Sequence, residues 1–151
     1  MSLYSIALFL HIVGALLLFV LLTIEGLGLR QGFMAAGLNR VLGPLSALTI
    51  LVPGLYMSAS QWGWKGWVVV GITAWVLIAV AGAATGISVL AGRLNTRAAA
   101  ASWSIRVGIA LGVVFIMTVK PDVLLSVIVV VAGAALGGVG AFASMRQVRS
   151  T

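Results

Sequence analysis

The chain has 151 residues, of which 62% are hydrophobic and only 7% charged, with a mean hydropathy of +1.25. A soluble domain carries roughly 25% charged residues and uses them to cover its surface; here lipid is the solvent that lets apolar side chains face outward, and a water-soluble fold is excluded as the expectation. The net charge of +7 comes from nine Lys and Arg set against two acids, and these bases stand apart between apolar runs instead of forming a basic patch, so nucleic acid is not an expected partner.

Taken in chain order, five segments are long and apolar enough to cross a hydrocarbon core, which takes about 20 residues of helix. The first covers about 3–28 and holds one strongly polar residue, His11, before Glu25. It continues too far, and lacks the basic start, for a cleavable signal peptide. Gly26, Gly28, Gly32 and Gly37 surround Arg30 and Arg40 after it, where glycine weakens the helix and charge prefers water. The second span, about 38–58, contains Pro44 and Pro53. A tryptophan-rich break follows, Gln61-Trp62-Gly63-Trp64-Lys65-Gly66-Trp67, in the manner of an interfacial aromatic belt. The third span is about 66–91 and ends before Arg93-Leu94-Asn95-Thr96-Arg97. The fourth, about 98–119, has Arg106 inside it. Lys120-Pro121-Asp122 then separates it from the fifth, about 123–145, with Pro121 suited to the first turn of the new helix.

Charge selects among topologies. With five spans, Arg30, Arg40, Arg93, Arg97, Arg106, Arg146 and Arg149 fall on one side, and Lys65 and Lys120 on the other. The basic side is cytoplasmic by the positive-inside rule, which puts the N-terminus outside and the C-terminus in the cytoplasm. A four-span alternative would bury Lys120 and Asp122, at about 2.5–3.5 kcal/mol for each unpaired charge at the bilayer centre. The expected fold is therefore an all-α polytopic transmembrane helix bundle of five spans, forming a single domain over the whole chain in a cell inner (plasma) membrane. The lipid bilayer is its first partner. Small residues at four-residue spacing (Gly82 and Gly86; Gly108 and Gly112; Gly133, Gly137 and Ala141) would let helices approach closely.

The chemistry available is narrow. The chain has no cysteine and one histidine. Disulfides, iron–sulfur clusters, thiolate sites and cysteine nucleophiles are excluded, as is any site needing two histidines from one chain. There is no phosphate-binding glycine loop, no Ser–His–Asp set and no pair of carboxylates, so hydrolysis at an internal site is not expected.

Ionisable groups inside a membrane are candidates for function by default. His11 lies roughly 12 Å below the outer edge at 1.5 Å per residue, where imidazole can bind a metal or haem, carry a proton, or hold a neighbouring helix. Glu25 follows on roughly the same helix face, and Gly14, Leu18 and Leu21 fill the stripe between them, which is expected to face protein. Arg106 is expected at the depth of Glu25 and to pair with it, as a structural ion pair before a catalytic one. Lys120 joins His11 in the outer half. Met57 and Met117 end spans on that side, and with His11 they form a candidate soft set for Cu(I), set against the ordinary use of Met as filler.

Three stretches carry a family likeness. They are Leu10-His11-Ile12-Val13-Gly14-Ala15 in the first span, Pro44-Leu45-Ser46-Ala47-Leu48-Thr49 with Gly54-Leu55-Tyr56 in the second, and Val119-Lys120-Pro121 before the last. The chain resembles bacterial inner-membrane proteins of the copper-resistance protein D and HemJ-type protoporphyrinogen oxidase group, and most of all their uncharacterised integral-membrane relatives. In the HemJ-type enzymes a first-span His and a Lys-Pro near the last span accompany haem-dependent activity. The resemblance places His11 and Lys120 at those positions and makes haem a candidate cofactor.

The leading expectation is a membrane protein that binds or carries a small ligand or cofactor (haem, copper or another small molecule) within its helices, with His11, Lys120, Glu25 and Arg106 as candidate contacts. The alternative is a structural or accessory subunit that acts by helix packing in a homo-oligomer or larger membrane complex. A membrane enzyme comes third, since the residues supply no catalytic constellation and only analogy of fold suggests one.

Overall fold

A computed structural model describes residues 2–31 and 36–147. Gly32 and Arg149 lie outside the described residues, and Arg30, Arg40 and Arg146 are described in backbone only. Among the described residues the chain is helical, as α1 (Leu3–Gln31), α2 (Ala36–Met57), a π-helical turn (Ser58–Trp62), α3 (Gly66–Leu90), α4 (Thr96–Val119) and α5 (Val123–Gln147). Five helices are long and apolar enough to cross a membrane. Large apolar side chains stand exposed along them, Leu124 at 71% and Leu136 at 73% among others, as expected for helices whose outer faces meet lipid and not water.

The chain divides into two compact units, residues 1–65 and 66–151. The first is a hairpin of α1 and α2 with the π turn. The stripe read from the sequence is covered along its length, with Ala7, Gly14 and Leu21 buried and His11, Leu18 and Glu25 half-buried on the same face, and His11 and Gly14 lie in the seam with α2. Gly14 permits close approach, because a Cβ there would lie 2.7 Å from Thr49 Oγ1 and 2.8 Å from the Ile50 nitrogen. At that crossing Ser46, 2% exposed, donates to the Gly14 carbonyl at 3.2 Å. One end of the hairpin is tied by Trp62 Nε1, which donates to Tyr4 Oη at 3.2 Å.

The second unit packs α3, α4 and α5. The tightest seam joins α4 to α5, where Gly108 meets Gly133 so closely that a Cβ on either would overlap the other's carbonyl oxygen. Gly112 lies against Val130, and Gly137 against Ser104, whose hydroxyl donates to the Gly137 carbonyl at 2.7 Å. Contact of small residues and side-chain hydrogen bonds of this kind are what joins apolar helices in proteins that span a membrane. α3 joins α4 through Thr85 and Ser102, whose hydroxyls are 2.7 Å apart.

Helix ends shift slightly from the sequence expectation, for local reasons. α4 begins at Thr96 because Asn95 caps it, its side-chain oxygen accepting from Ala98 N at 2.9 Å. The second helix does not stop at 58 but runs on through the π turn, closed by Gly63 N–H donating to the Ser58 carbonyl at 2.6 Å. Pro121 precedes α5 and is not in its first turn; Asp122 is the cap, accepting from Leu125 N at 2.8 Å.

Candidate functional site

His11 sits at the α1–α2 seam. Its Nδ1 lies 2.8 Å from the Ile50 carbonyl oxygen. A carbonyl offers only lone pairs, so Nδ1 carries the proton and donates. In the neutral ring this leaves the lone pair on Nε2, the arrangement typical of a metal-binding histidine, whose other nitrogen donates to a carbonyl or carboxylate. The ring rests on Gly54, where a Cβ would come to 3.1 Å from Cε1 and 3.2 Å from Nδ1. A Cβ there would require the ring to give by a few tenths of an ångström.

Pro53 has no N–H to offer the Thr49 carbonyl four residues back, so the ladder lacks the bond one residue before Ile50. Gly54, the next residue, makes the space that the imidazole occupies. The sequence showed the Pro-Gly step and His11 separately, and only the structure pairs them.

The remaining candidates belong to both units. Glu25 is half-buried on α1, one turn past the buried Leu21 and Leu22, and Met57 is buried at the end of α2; both belong to the hairpin with His11. Arg106, Met117 and Lys120 belong to the second unit. Arg106 is 4% exposed and lies against Gly82 of α3, where a Cβ would stand 3.1 Å from Nη1. Gly82 therefore serves the guanidinium and is not a helix–helix contact of the small-residue kind. Met117 lays its methyl on Gly71, the filler use of methionine. No group of three or more His, Asp or Glu residues suited to a metal occurs among the described residues.

Lys120 is exposed and ends α4 in the left-handed conformation, φ 53° and ψ 51°, with its N–H donating to the Ile116 carbonyl at 2.9 Å. A residue with a Cβ holds this conformation at about 1–2 kcal/mol, and glycine is the usual occupant of such a cap. The ammonium lies 6.0 Å from the centre of the Trp67 ring, within reach of its negative face. Lys65 stands likewise 5.8 Å from the Trp62 ring. Both lysines noted on the sparsely basic side thus rest on tryptophans of the aromatic break.

Of the small-residue stripes, Gly108, Gly112, Gly133 and Gly137 meet other helices of the chain, whereas among the described residues nothing lies within 4 Å of a Cβ placed on Gly86. No protein-family model, curated protein or solved structure matches the chain.

Proposed function

We propose that this is a multi-pass protein of the bacterial inner membrane, N-terminus outside and C-terminus cytoplasmic, that binds or carries a small ligand or cofactor through His11. The observation that carries the reading is the Nδ1 bond to the Ile50 carbonyl, which orients the chain's single imidazole and leaves Nε2 as the donor atom. Haem iron and Cu(I) are the probes suited to such a nitrogen in an apolar setting. When bound, either would supply redox or Lewis-acid chemistry. The chain's own part is to hold the imidazole in the donating tautomer, with Gly54 beside the ring and Met57, buried one turn past Gly54 along α2, as a candidate soft side chain. The resemblance to the copper-resistance protein D and HemJ-type group belongs to this proposal and favours the same residue.

The test is an absorption spectrum and metal analysis of the purified protein, followed by titration with hemin and with Cu(I). A Soret band or copper stoichiometry that disappears in His11→Ala supports the reading. Equal binding by wild type and His11→Ala, or binding of neither probe and no co-purifying ligand, overturns it. The orientation rests on the seven-to-two division of Arg and Lys. It is tested separately, because a cysteine-free chain allows single labels: Gln61→Cys should react with an impermeant maleimide from outside, and Thr96→Cys only after permeabilisation.

A further inference from the structure

At one end of the hairpin two hydrogen-bond donors gather on a single indole. The π turn Ser58–Trp62 carries α2 to the first turn of α1, where Trp62 Nε1 donates to Tyr4 Oη at 3.2 Å. A hydroxyl that accepts in this way keeps its own hydrogen to give, and among the described residues Tyr4 makes no other hydrogen bond. Lys65 lies over the same ring, with Nζ 5.8 Å from its centre. Trp62 thus carries a phenol at its edge and an ammonium over its face. Tyr4 and Trp62 are half-buried and Lys65 is exposed. Trp64, 69% exposed, stands beside Lys65 in the sequence, and tryptophan gathers at the boundary between lipid and water.

No charge within the unit answers Lys65. Residues 1–65 hold one acid, Glu25, which stands roughly 31 Å from Tyr4 along α1 at the helical rise. The site therefore offers one positive charge, one neutral donor and no anion. A phosphodiester is its complement, with one negative charge and two non-bridging oxygens that accept. A headgroup that also carries an amine fits less well. Aromatic rings can receive such cations, but Lys65 already lies over this one and would repel another.

We propose that Tyr4, Trp62 and Lys65 form a site for the phosphate of one anionic glycerophospholipid whose headgroup has no amine. The Tyr4 hydroxyl donates to one non-bridging oxygen and Lys65 Nζ to the other, and Trp62 holds both donors in place. The site stands apart from His11 and does not depend on any ligand bound there.

The chain's lack of cysteine lets one label report on the lipid beside the site. A fluorophore on Gln61→Cys, exposed and next to Trp62, is read in phosphatidylcholine vesicles as nitroxide-bearing phosphatidylglycerol or nitroxide-bearing phosphatidylcholine is added. Phosphatidylglycerol should be preferred by about tenfold, counting one lysine and one hydrogen bond to a charged group. Lys65→Gln should abolish the preference and Lys65→Arg should keep it. Tyr4→Phe, which leaves the charge untouched, should lower it by about threefold through the lost hydrogen bond. Trp62→Phe, which releases Tyr4 from its tie, takes the place of Tyr4→Phe if that chain does not fold. Arg93→Gln removes an exposed charge beyond the end of α3 and should leave the reading at Gln61→Cys unchanged. Equal quenching by the two lipids overturns the site. A loss in Arg93→Gln equal to that in Lys65→Gln assigns the preference to diffuse charge and overturns it too. Full preference in Tyr4→Phe overturns the phenol's part, and with it the two-point grip. Inorganic phosphate, exchanged for chloride at constant ionic strength, should leave the preference in place; its loss would make free phosphate the occupant and overturn the lipid.

Discussion

Gly108→Ala adds one methyl group at the closest approach of α4 and α5. The new Cβ would lie 2.7 Å from the Gly133 carbonyl carbon and would overlap its oxygen, where ordinary contact begins at 3.4 Å. Both obstacles are backbone, so no side chain can swing aside. The helices must part by about 1 Å, and a gap of that order already forfeits a quarter to a half of each dispersion contact it opens. Overpacking of this kind costs about 1–3 kcal/mol. The Ser104–Gly137 bond lies one turn away at 2.7 Å and would stretch past useful length; interhelical bonds in membranes contribute about 0.6–1.7 kcal/mol. The expected loss is about 2–4 kcal/mol, counting overpacking and the hydrogen bond together. Gly86→Ala is the matched control: it makes the same chemical change in a helix, with nothing among the described residues within 4 Å of the new atom. It should be neutral or stabilising by up to about 1 kcal/mol from helix propensity. Equilibrium unfolding in mixed micelles, followed by circular dichroism as denaturing detergent is added, measures both. If Gly108→Ala stays within about 0.5 kcal/mol of wild type, the range of an uninvolved surface change, the proposed seam is refuted.

Gly14→Ala should weaken the hairpin by about 1–3 kcal/mol through overpacking against the Thr49–Ile50 backbone, read by the same unfolding titration. Lys120→Gly should raise stability by about 1 kcal/mol by relieving the left-handed conformation, whereas Lys120→Ala, which keeps a Cβ, should bring no such gain. If Lys120 also serves a ligand, Lys120→Gly would be more stable yet impaired in hemin or Cu(I) titration. Asp122→Ala removes the cap of α5 and should cost about 1 kcal/mol, while Asp122→Asn should keep most of it; thermal unfolding in detergent separates the two.

The five helices were legible because the signal for them is local. Length, hydropathy and the position of charges fix where a chain can leave lipid, and the breaks at Trp62–Trp67, Arg93–Arg97 and Lys120–Asp122 each carry a residue that ends or caps a helix. The stripe through His11, Gly14, Leu18, Leu21 and Glu25 was legible for the same reason, since helical periodicity is a property of one segment, and at His11 and Gly14 it faces α2.

Pairing across helices was not legible. Nineteen glycines offer many four-residue spacings, and only the tertiary structure decides that Gly108 and Gly112 meet α5, that Gly82 makes room for Arg106, and that Gly86 meets nothing among the described residues. The same holds for the site. The sequence singled out His11 as the chain's one imidazole in an apolar span. That its proton sits on Nδ1 depends on the Ile50 carbonyl, 39 residues away in the chain, in a helix that Pro53 has already loosened. Hydropathy and charge act between a residue and its solvent, so the sequence by itself determines the number and extent of the helices. Contact acts between residues remote along the chain, so only the tertiary structure decides which glycine is a seam, which lysine is strained, and which nitrogen of His11 donates to α2.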